Sequence, residues 1–245
     1  MPPTSTEEIS ITRARTSVLA GRAAPRTVRH PHPLPEGARR PLNVTVAFLG
    51  IVVTAPLMAC IAVLLKLTSP GPILYAQTRV GLDRRALGDP TGNGRRFVDH
   101  GGKPFTIYKF RTMRVGGDAE RQVWARPDDP RVTTLGRVLR KYRLDELPQL
   151  FNVLRGDMNV VGPRPEQPRI FADLRLQIEG YGHRQLVRPG ITGLAQITND
   201  YDTSVDSVRA KLDLDLRYIR RQSFFEDLRI LLLTLPVVAL KRGAW

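Results

Sequence analysis

Two adjacent carboxylates, Asp145 and Glu146, lie in the run Arg143-Leu144-Asp145-Glu146-Leu147-Pro148, directly after the basic cluster Arg137, Arg140, Lys141 and Arg143. Acids set among leucines and behind cations can work on phosphorus. One carboxylate would serve as a covalent nucleophile. The other would hold a divalent cation or handle a proton. Neighbouring residues on a helix diverge by about 100°, so the two acids would not share one task. A magnesium ion held by Asp145 and Glu146 would screen the repulsion between an attacking anion and an anionic diphosphate. On its own, an Asp-Glu pair is better explained as an exposed helix start favoured by the helix dipole. The pair therefore needs context.

Cations elsewhere in the chain supply part of it. In FTIYKFRTM at 105–113, Lys109 and Arg111 are two residues apart, on one side of a strand if strand it is, and would suit an anion clamp. Arg164 stands between Pro163 and Pro165, on a stiff loop that would lose little entropy in a bidentate phosphate contact. Arg188, before Pro189-Gly190, is similarly placed. Taken singly, each of these is more simply a solvated surface residue. Asp157 and Asn159 read as turn residues after Gly156.

The elements that must position these groups can be read from pattern. Residues 44–65, VTVAFLGIVVTAPLMACIAVLL, carry no charge over 22 positions, enough to span a bilayer by length. Pro56 sits near the middle, and both flanks are basic: Arg39 and Arg40 before, Lys66, Arg79, Arg84 and Arg85 after. Positive flanks favour the cytoplasmic side, so both ends prefer the same side. The economical reading is a re-entrant helix broken at Ala55-Pro56, each arm ~15–18 Å long. A straight single-pass helix stays open as the alternative. Short strands are expected at 73–77 and 105–110, and helical spacing over 135–154 with an interruption at Pro148. In that segment Leu144, Leu147, Leu150 and Phe151 make one apolar face. A helix is expected at 211–221, and a second apolar run, 231–240, fits buried core or a membrane interface. Residues 1–40 read as a disordered basic tail, 41–68 as the membrane helix, 69–245 as the catalytic domain, and the glycine-rich stretch 86–102 as a loop insertion. The expected fold class is α+β: a mostly helical cytoplasmic domain with a small β element.

Composition narrows the function classes. The net charge is +15, and residues 66–143 hold 17 Lys+Arg against 7 Asp+Glu, so the positive charge surrounds the acidic pair. That points to an anionic partner: nucleic acid, an anionic membrane or phosphorylated substrates. The single cysteine, Cys60, excludes an internal disulfide framework and a cysteine-rich zinc site. Four histidines at 30, 32, 100 and 183 give no metal-ligand spacing. No zinc spacing, helix-turn-helix signal or stacking motif supports a nucleic-acid binder, and charge alone does not explain residues 44–65. No secretory signal is evident, since the first apolar run starts behind a Pro- and Arg-rich stretch.

Several segments together resemble the bacterial sugar transferase family, the monotopic phosphoglycosyl transferases. They are YAQTRVG at 75–81, FTIYKFRTM at 105–113, RLDELPQLFNVLRGDMNVVGPRP at 143–165, VRPGITGLAQI at 187–197 and the tail DLRILLLTLPVVALKRGAW at 227–245. The resemblance covers roughly residues 41–245, with the segments in the family's order. It implies transfer of a sugar-1-phosphate from a UDP-sugar to a polyprenyl (undecaprenyl) phosphate with release of UMP, to start exopolysaccharide, capsule or glycoconjugate assembly. By that resemblance Asp145 is the nucleophile and Glu146 helps with magnesium and proton transfer. Lys109, Arg111, Arg164, Arg188 and Gln196 are implied as substrate-binding residues. Many members carry serine before the membrane proline where this chain has Ala55. The implied partners are the UDP-sugar, the lipid phosphate and the membrane, with no nucleic acid; a homo-oligomer stays open. The implied location is the cytoplasmic face of the bacterial inner membrane. The chain resembles the catalytic module alone plus a basic tail. A non-catalytic membrane scaffold of a glycan assembly complex is the alternative, and the intact acidic pair counts against it.

Overall fold

The structure is a computed structural model that describes residues 36–83, 101–114, 129–198 and 205–240. Residues 1–35 of the expected tail and 86–100 of the expected insertion lie outside the described residues. An apolar helix, α1 (Glu36–Thr68), comes first. A two-stranded antiparallel sheet follows, β1 (Leu74–Val80) with β2 (Pro104–Phe110), pairing Ala76 with Tyr108. Next come α2 (Thr134–Lys141), a 3-10 turn (Leu144–Glu146), and α3 (Gln149–Arg155). The short strand β3 (Asn159–Val161) pairs in parallel with β4 (Gly190–Thr192), and α4 (Pro168–Gln177) and a 3-10 segment (Tyr181–Leu186) lie between them. The described chain closes with α5 (Leu194–Thr198), α6 (Val205–Arg221) and α7 (Phe224–Ala239). Mostly helical with a small β element, this is the expected α+β class.

Helix α1 stays helical across the expected break. It has no gap at Ala55-Pro56: Pro41 and Pro56 both lie inside one continuous helix. A proline deletes one backbone donor, but the turns on either side keep theirs, and Thr54 Oγ1 donates to Gly50 O at 2.6 Å. The helical phase also runs through unbroken. Arg39, Asn43, Ala47, Gly50, Thr54, Met58, Ile61 and Leu65 form one inward stripe at three- and four-residue spacing. Near the start, Arg40 donates to Val153 O and Leu154 O, and Asn43 Oδ1 accepts the Val160 N–H at 2.6 Å. Midway, Gly50 lies against the Leu150 side chain. Near the end, Ile61 and Leu65 share a cluster with Phe110 and Leu139. Both ends of the helix thus dock on the same body, while Val52, Val53 and Leu57 between them stay exposed. Among the described residues it is the one helix long and apolar enough to cross a membrane.

The fit is sealed by a buried polar knot. Arg39 Nε donates to Asp227 Oδ2 at 2.9 Å, Nη1 to Gln222 Oε1 at 2.9 Å, and Nη2 to Val161 O, to Asp227 and to the Tyr218 hydroxyl. Tyr218 in turn donates to Asp227 Oδ1 at 2.7 Å. A guanidinium bonded through all three nitrogens in this way can be buried, because its charge is paired with Asp227. Helix α7 is split between two environments: Asp227 and Ile230 face inward, whereas Phe224, Phe225, Leu232 and Leu235 are exposed.

Asn152 ties α3 to the β1–β2 sheet. Its Oδ1 accepts the Tyr108 N–H at 3.1 Å and its Nδ2 donates to Thr106 O at 2.7 Å, as a neighbouring strand would. The expected apolar face of 144–151 is only partly inward: Leu144 and Leu147 pack with Leu139, Leu150 packs near Val153, and Phe151 is exposed.

Removing the Arg39 head group strands Asp227 in the interior. Arg39→Ala is expected to cost about 3–5 kcal/mol, lowering Tm by roughly 10 °C for a domain of this size; thermal melts of detergent-purified protein check this, and an unchanged Tm would contradict the knot's role.

Candidate active site

The dyad is placed by the way helix α2 ends. The Thr133 hydroxyl caps α2 by accepting the Gly136 N–H at 2.9 Å. A Cβ at Gly136 would stand 2.0 Å from Thr112 O, so glycine lets the helix press onto the exit of β2. The same carbonyl accepts the Thr133 N–H, and Arg140 Nε donates to Thr112 Oγ1 at 2.9 Å. After α2, Arg143 takes a left-handed backbone, with φ of 55°, at an ordinary L-residue. Such a conformation persists only where its surroundings enforce it. It turns the chain into the 3-10 segment Leu144–Glu146, and Pro148 then starts α3. The expected interruption at Pro148 is therefore a longer break, from Tyr142 to Pro148. On a 3-10 turn successive side chains lie about 120° apart, so the acids diverge further than on an α-helix.

Asp145 and Glu146 are both buried. Lys109, from β2, brings Nζ to 2.7 Å from Glu146 Oε1 and 3.9 Å from Asp145 Oδ2. Arg164, from the loop after β3, donates through Nη2 to the same Glu146 Oε1 at 2.9 Å. Two cations thus converge on one oxygen of one acid. This separates the neighbouring acids electrostatically. Burial pushes the Asp145 carboxyl above the ordinary carboxylate range, against the pull of Lys109. Burial also opposes the charge on Glu146, but Arg164, Lys109 and Arg143 outweigh it and hold that carboxyl well below its usual value. Burial lowers the Lys109 amine from its ordinary value, with Glu146 opposing.

The structure brings together four of the residues singled out in the sequence: Asp145, Glu146, Lys109 and Arg164. Arg111 points elsewhere. It follows the end of β2, and its guanidinium donates to Ser69 O at 2.8 Å, to Ser69 Oγ at 2.9 Å and to Pro70 O. The Ser69–Pro72 turn is rich in proline and offers carbonyls that need donors, which is why the arginine is drawn there; the expected Lys109–Arg111 clamp is not formed. Arg188 is half-buried beside β4, ahead of Pro189, whose carbonyl accepts the Asn159 N–H at 2.8 Å. Gln196, on α5, donates through Nε2 to Ile191 O at 2.9 Å, and its buried Oε1 has no partner among the described residues.

Sequence reading missed Arg79, although it lies within YAQTRVG. Its Nη1 donates to Pro165 O at 3.1 Å and its Nη2 to Gln77 Oε1 at 2.6 Å. The alternation of β1, with Gln77 and Arg79 on one face, was the available signal. Among the described residues no three His, Cys, Asp or Glu side chains gather as a metal cage. Two carboxylates alone still fit magnesium, which commonly takes one or two protein carboxylates and completes its shell with water and substrate phosphates. Asp145, with no cation nearer than Lys109 at 3.9 Å, and the second oxygen of Glu146 are the groups that could hold it.

Residues 35–241 match the bacterial sugar transferase family. The chain belongs to that family. It is 38% identical over 214 residues to the UDP-N-acetylgalactosamine-undecaprenyl-phosphate N-acetylgalactosaminephosphotransferase of Aeromonas hydrophila, covering 87% of this chain and 46% of that protein. It is 39% identical over 199 residues to the UDP-glucose:undecaprenyl-phosphate glucose-1-phosphate transferase of Escherichia coli K12, covering 80% of this chain and 39% of the relative. A protein of the same name from Caulobacter vibrioides is 40% identical over 216 residues, 86% of this chain and 74% of the relative. The chain spans less than half the length of the first two relatives. Membership places the four converging residues in a sugar transferase domain.

Glu146→Gln leaves the half-buried Lys109 without its nearest anion and is expected to cost about 1–3 kcal/mol at pH 7.5. The Lys109 amine then loses a proton more readily in the folded chain than in the unfolded one. Between that lowered value and about 10.4 the unfolded chain binds more protons, so stability rises with pH. The Tm deficit of the variant relative to wild type should therefore shrink from pH 7.5 to pH 9.5. A deficit that stays constant or grows would contradict the pairing.

Proposed function

We propose that this chain transfers a sugar-1-phosphate from a UDP-sugar to a polyprenyl phosphate, releasing UMP, through a covalent ester on Asp145. The observation that carries this reading is the unequal treatment of the two acids: Glu146 binds both cations and Asp145 binds neither closely. In the first step an Asp145 oxygen attacks the phosphorus that bears the sugar. The bond from that phosphorus to the bridging oxygen breaks, and UMP leaves with that oxygen. In the second step an oxygen of the lipid phosphate attacks the same phosphorus and expels the Asp145 carboxylate, giving a polyprenyl diphosphosugar. The raised basicity of Asp145 suits a nucleophile that forms a bond, and the permanent charge of Glu146 suits a group that anchors cations. Lys109 and Arg164 offset the charge that gathers on the phosphoryl oxygens. Magnesium held by Asp145 and Glu146 would supply further charge neutralisation at the diphosphate. Arg188 and Gln196 are kept as substrate-binding residues by family resemblance.

The test is UMP release by detergent-purified protein with Mg²⁺, undecaprenyl phosphate and a panel of UDP-sugars. Release with at least one sugar is expected in wild type, and a loss of at least about a thousandfold in Asp145→Asn, which keeps the size but removes the nucleophile. Near-normal release by the variant would overturn the nucleophile assignment. Silence of folded wild type with every sugar would favour the scaffold reading.

The proposal extends to the membrane. Helix α1 enters and leaves one face of the bilayer, with Pro56 in the deepest part, and the domain stays on the cytoplasmic side. Docking of both ends of α1 on one body supports this, because a spanning helix carries its ends to opposite sides. The exposed apolar side chains of α7 would meet the same interface. Tags before residue 36 and after residue 240 are both expected to resist external protease in spheroplasts. Cleavage of the first tag alone would mean that α1 crosses.

A further inference from the structure

The loop that carries Arg164 has an unusual problem of hydrogen bonding. Pro163 and Pro165 have no N–H, so residues 162–166 cannot continue a β-ladder with their own donors. Their carbonyls must be met from outside, and four in succession are. Gly190 N–H donates to Pro163 O at 2.9 Å. Arg184 Nη2 donates to Arg164 O at 3.1 Å. Arg79 Nη1 donates to Pro165 O at 3.1 Å, and Val80 N–H donates to Glu166 O at 2.9 Å. The β4 side presses equally close: a Cβ at Gly190 would stand 2.1 Å from Gly162 N, and one at Gly193 2.3 Å from Gly162 O.

Arg184 is the member of this frame that has no reason of its own to be where it is. It is buried, 6% exposed, on the 3-10 segment. Its fork is divided among three further partners. Nε donates to Asp215 Oδ2 at 2.7 Å, Nη1 donates to the Tyr181 hydroxyl at 2.6 Å and lies 3.5 Å from Glu166 Oε1. Asp215 comes from α6 and is 3% exposed. A planar guanidinium held at Nε and Nη1 has no freedom left at Nη2, so the Asp215 contact fixes the direction in which the Arg164 carbonyl is gripped. The next atoms along are the Arg164 Cα and the side chain that reaches Glu146.

We propose that Arg184, oriented by Asp215, is a positioning residue for the transfer reaction: it holds the Arg164 main chain so that the Arg164 guanidinium stays at the dyad. The inference rests on the reaction proposed above. It assigns no contact with substrate to Arg184 or Asp215. Their effect passes through Arg164, and a displacement of about 1 Å there is enough to cost of the order of a hundredfold in rate.

The test is a double-mutant cycle. Arg184→Lys keeps a cation beside Asp215 but lacks the fork that reaches Arg164 O. Turnover with the active UDP-sugar, calorimetric affinity for UDP, and Tm are measured for wild type, Arg184→Lys, Arg164→Ala and the double variant. Arg184→Lys alone is expected to lower kcat/KM by about ten- to a hundredfold and to weaken UDP binding. In the Arg164→Ala background it should change UDP affinity, and any residual turnover, by less than about twofold. Losses that multiply in the double variant would overturn the proposal, because a fold-wide defect does not depend on the Arg164 side chain. A lowered Tm with unchanged kcat/KM would overturn it as well. Should Arg184→Lys fail to fold, Asp215→Asn, which keeps the size and one acceptor, enters the same cycle with the same expectations. Wild type that releases no UMP with any sugar defeats the underlying reaction, whereas active wild type with multiplying losses defeats this inference alone.

Discussion

Glu146 Oε1 receives Lys109 at 2.7 Å and Arg164 at 2.9 Å, and each of the three residues arrives from a different part of the fold. Lys109 comes from the antiparallel β1–β2 pair, Glu146 from a 3-10 turn, and Arg164 from the loop after the parallel β3–β4 pair. The two sheets share no strand. A single carboxylate oxygen is therefore where they are brought to a common point at the site. In the interior such an oxygen is tolerated only when its charge is well paired, and paired cations are tolerated only while it stays ionised. This mutual dependence adds to the Arg79 and Val80 contacts that tie β1 to the same loop, and leaves the neighbouring Asp145 with only the longer approach of Lys109.

The chain uses arginine repeatedly for a second purpose. Arg39, Arg40, Arg79, Arg111 and Arg184 all donate to main-chain carbonyls at proline turns, strand ends or helix ends. Buried carbonyls without donors are costly, and a planar fork can serve several at once. A large positive charge in the composition is thus partly internal carpentry. Only the remainder is left to attract an anionic partner.

How much could be read beforehand follows from this division. Period-2 alternation with β-formers marked β2, and the uncharged 44–65 stretch marked α1, because each is a local pattern that tertiary context reinforces. The acidic pair and the Pro-Arg-Pro loop were visible as residue types. Nothing in their spacing announced the meeting with Lys109. Three things were not legible. The turn before the dyad depends on a left-handed Arg143, a conformation that no arginine advertises. The fate of Arg111 depends on empty carbonyls at Ser69 and Pro70, some forty positions away. The continuity of α1 through Pro56 reflects a stripe of contacts with a body that the helix sequence does not contain. Arg184 and Asp215 belong to the same class, since a pair 31 residues apart on two separate elements leaves no periodic trace.

The Arg39 knot has a consequence for how the chain is made. Arg39 is separated by 188 residues from its carboxylate partner, Asp227. At ordinary ribosomal speeds of about 5–20 residues per second, α1 emerges about 10–40 seconds before the segment that neutralises it exists. For that interval the Arg39 guanidinium lacks the carboxylate that neutralises it in the folded chain. Among the described residues α7, the helix farthest along the chain, is thus the one that completes the pairing of α1.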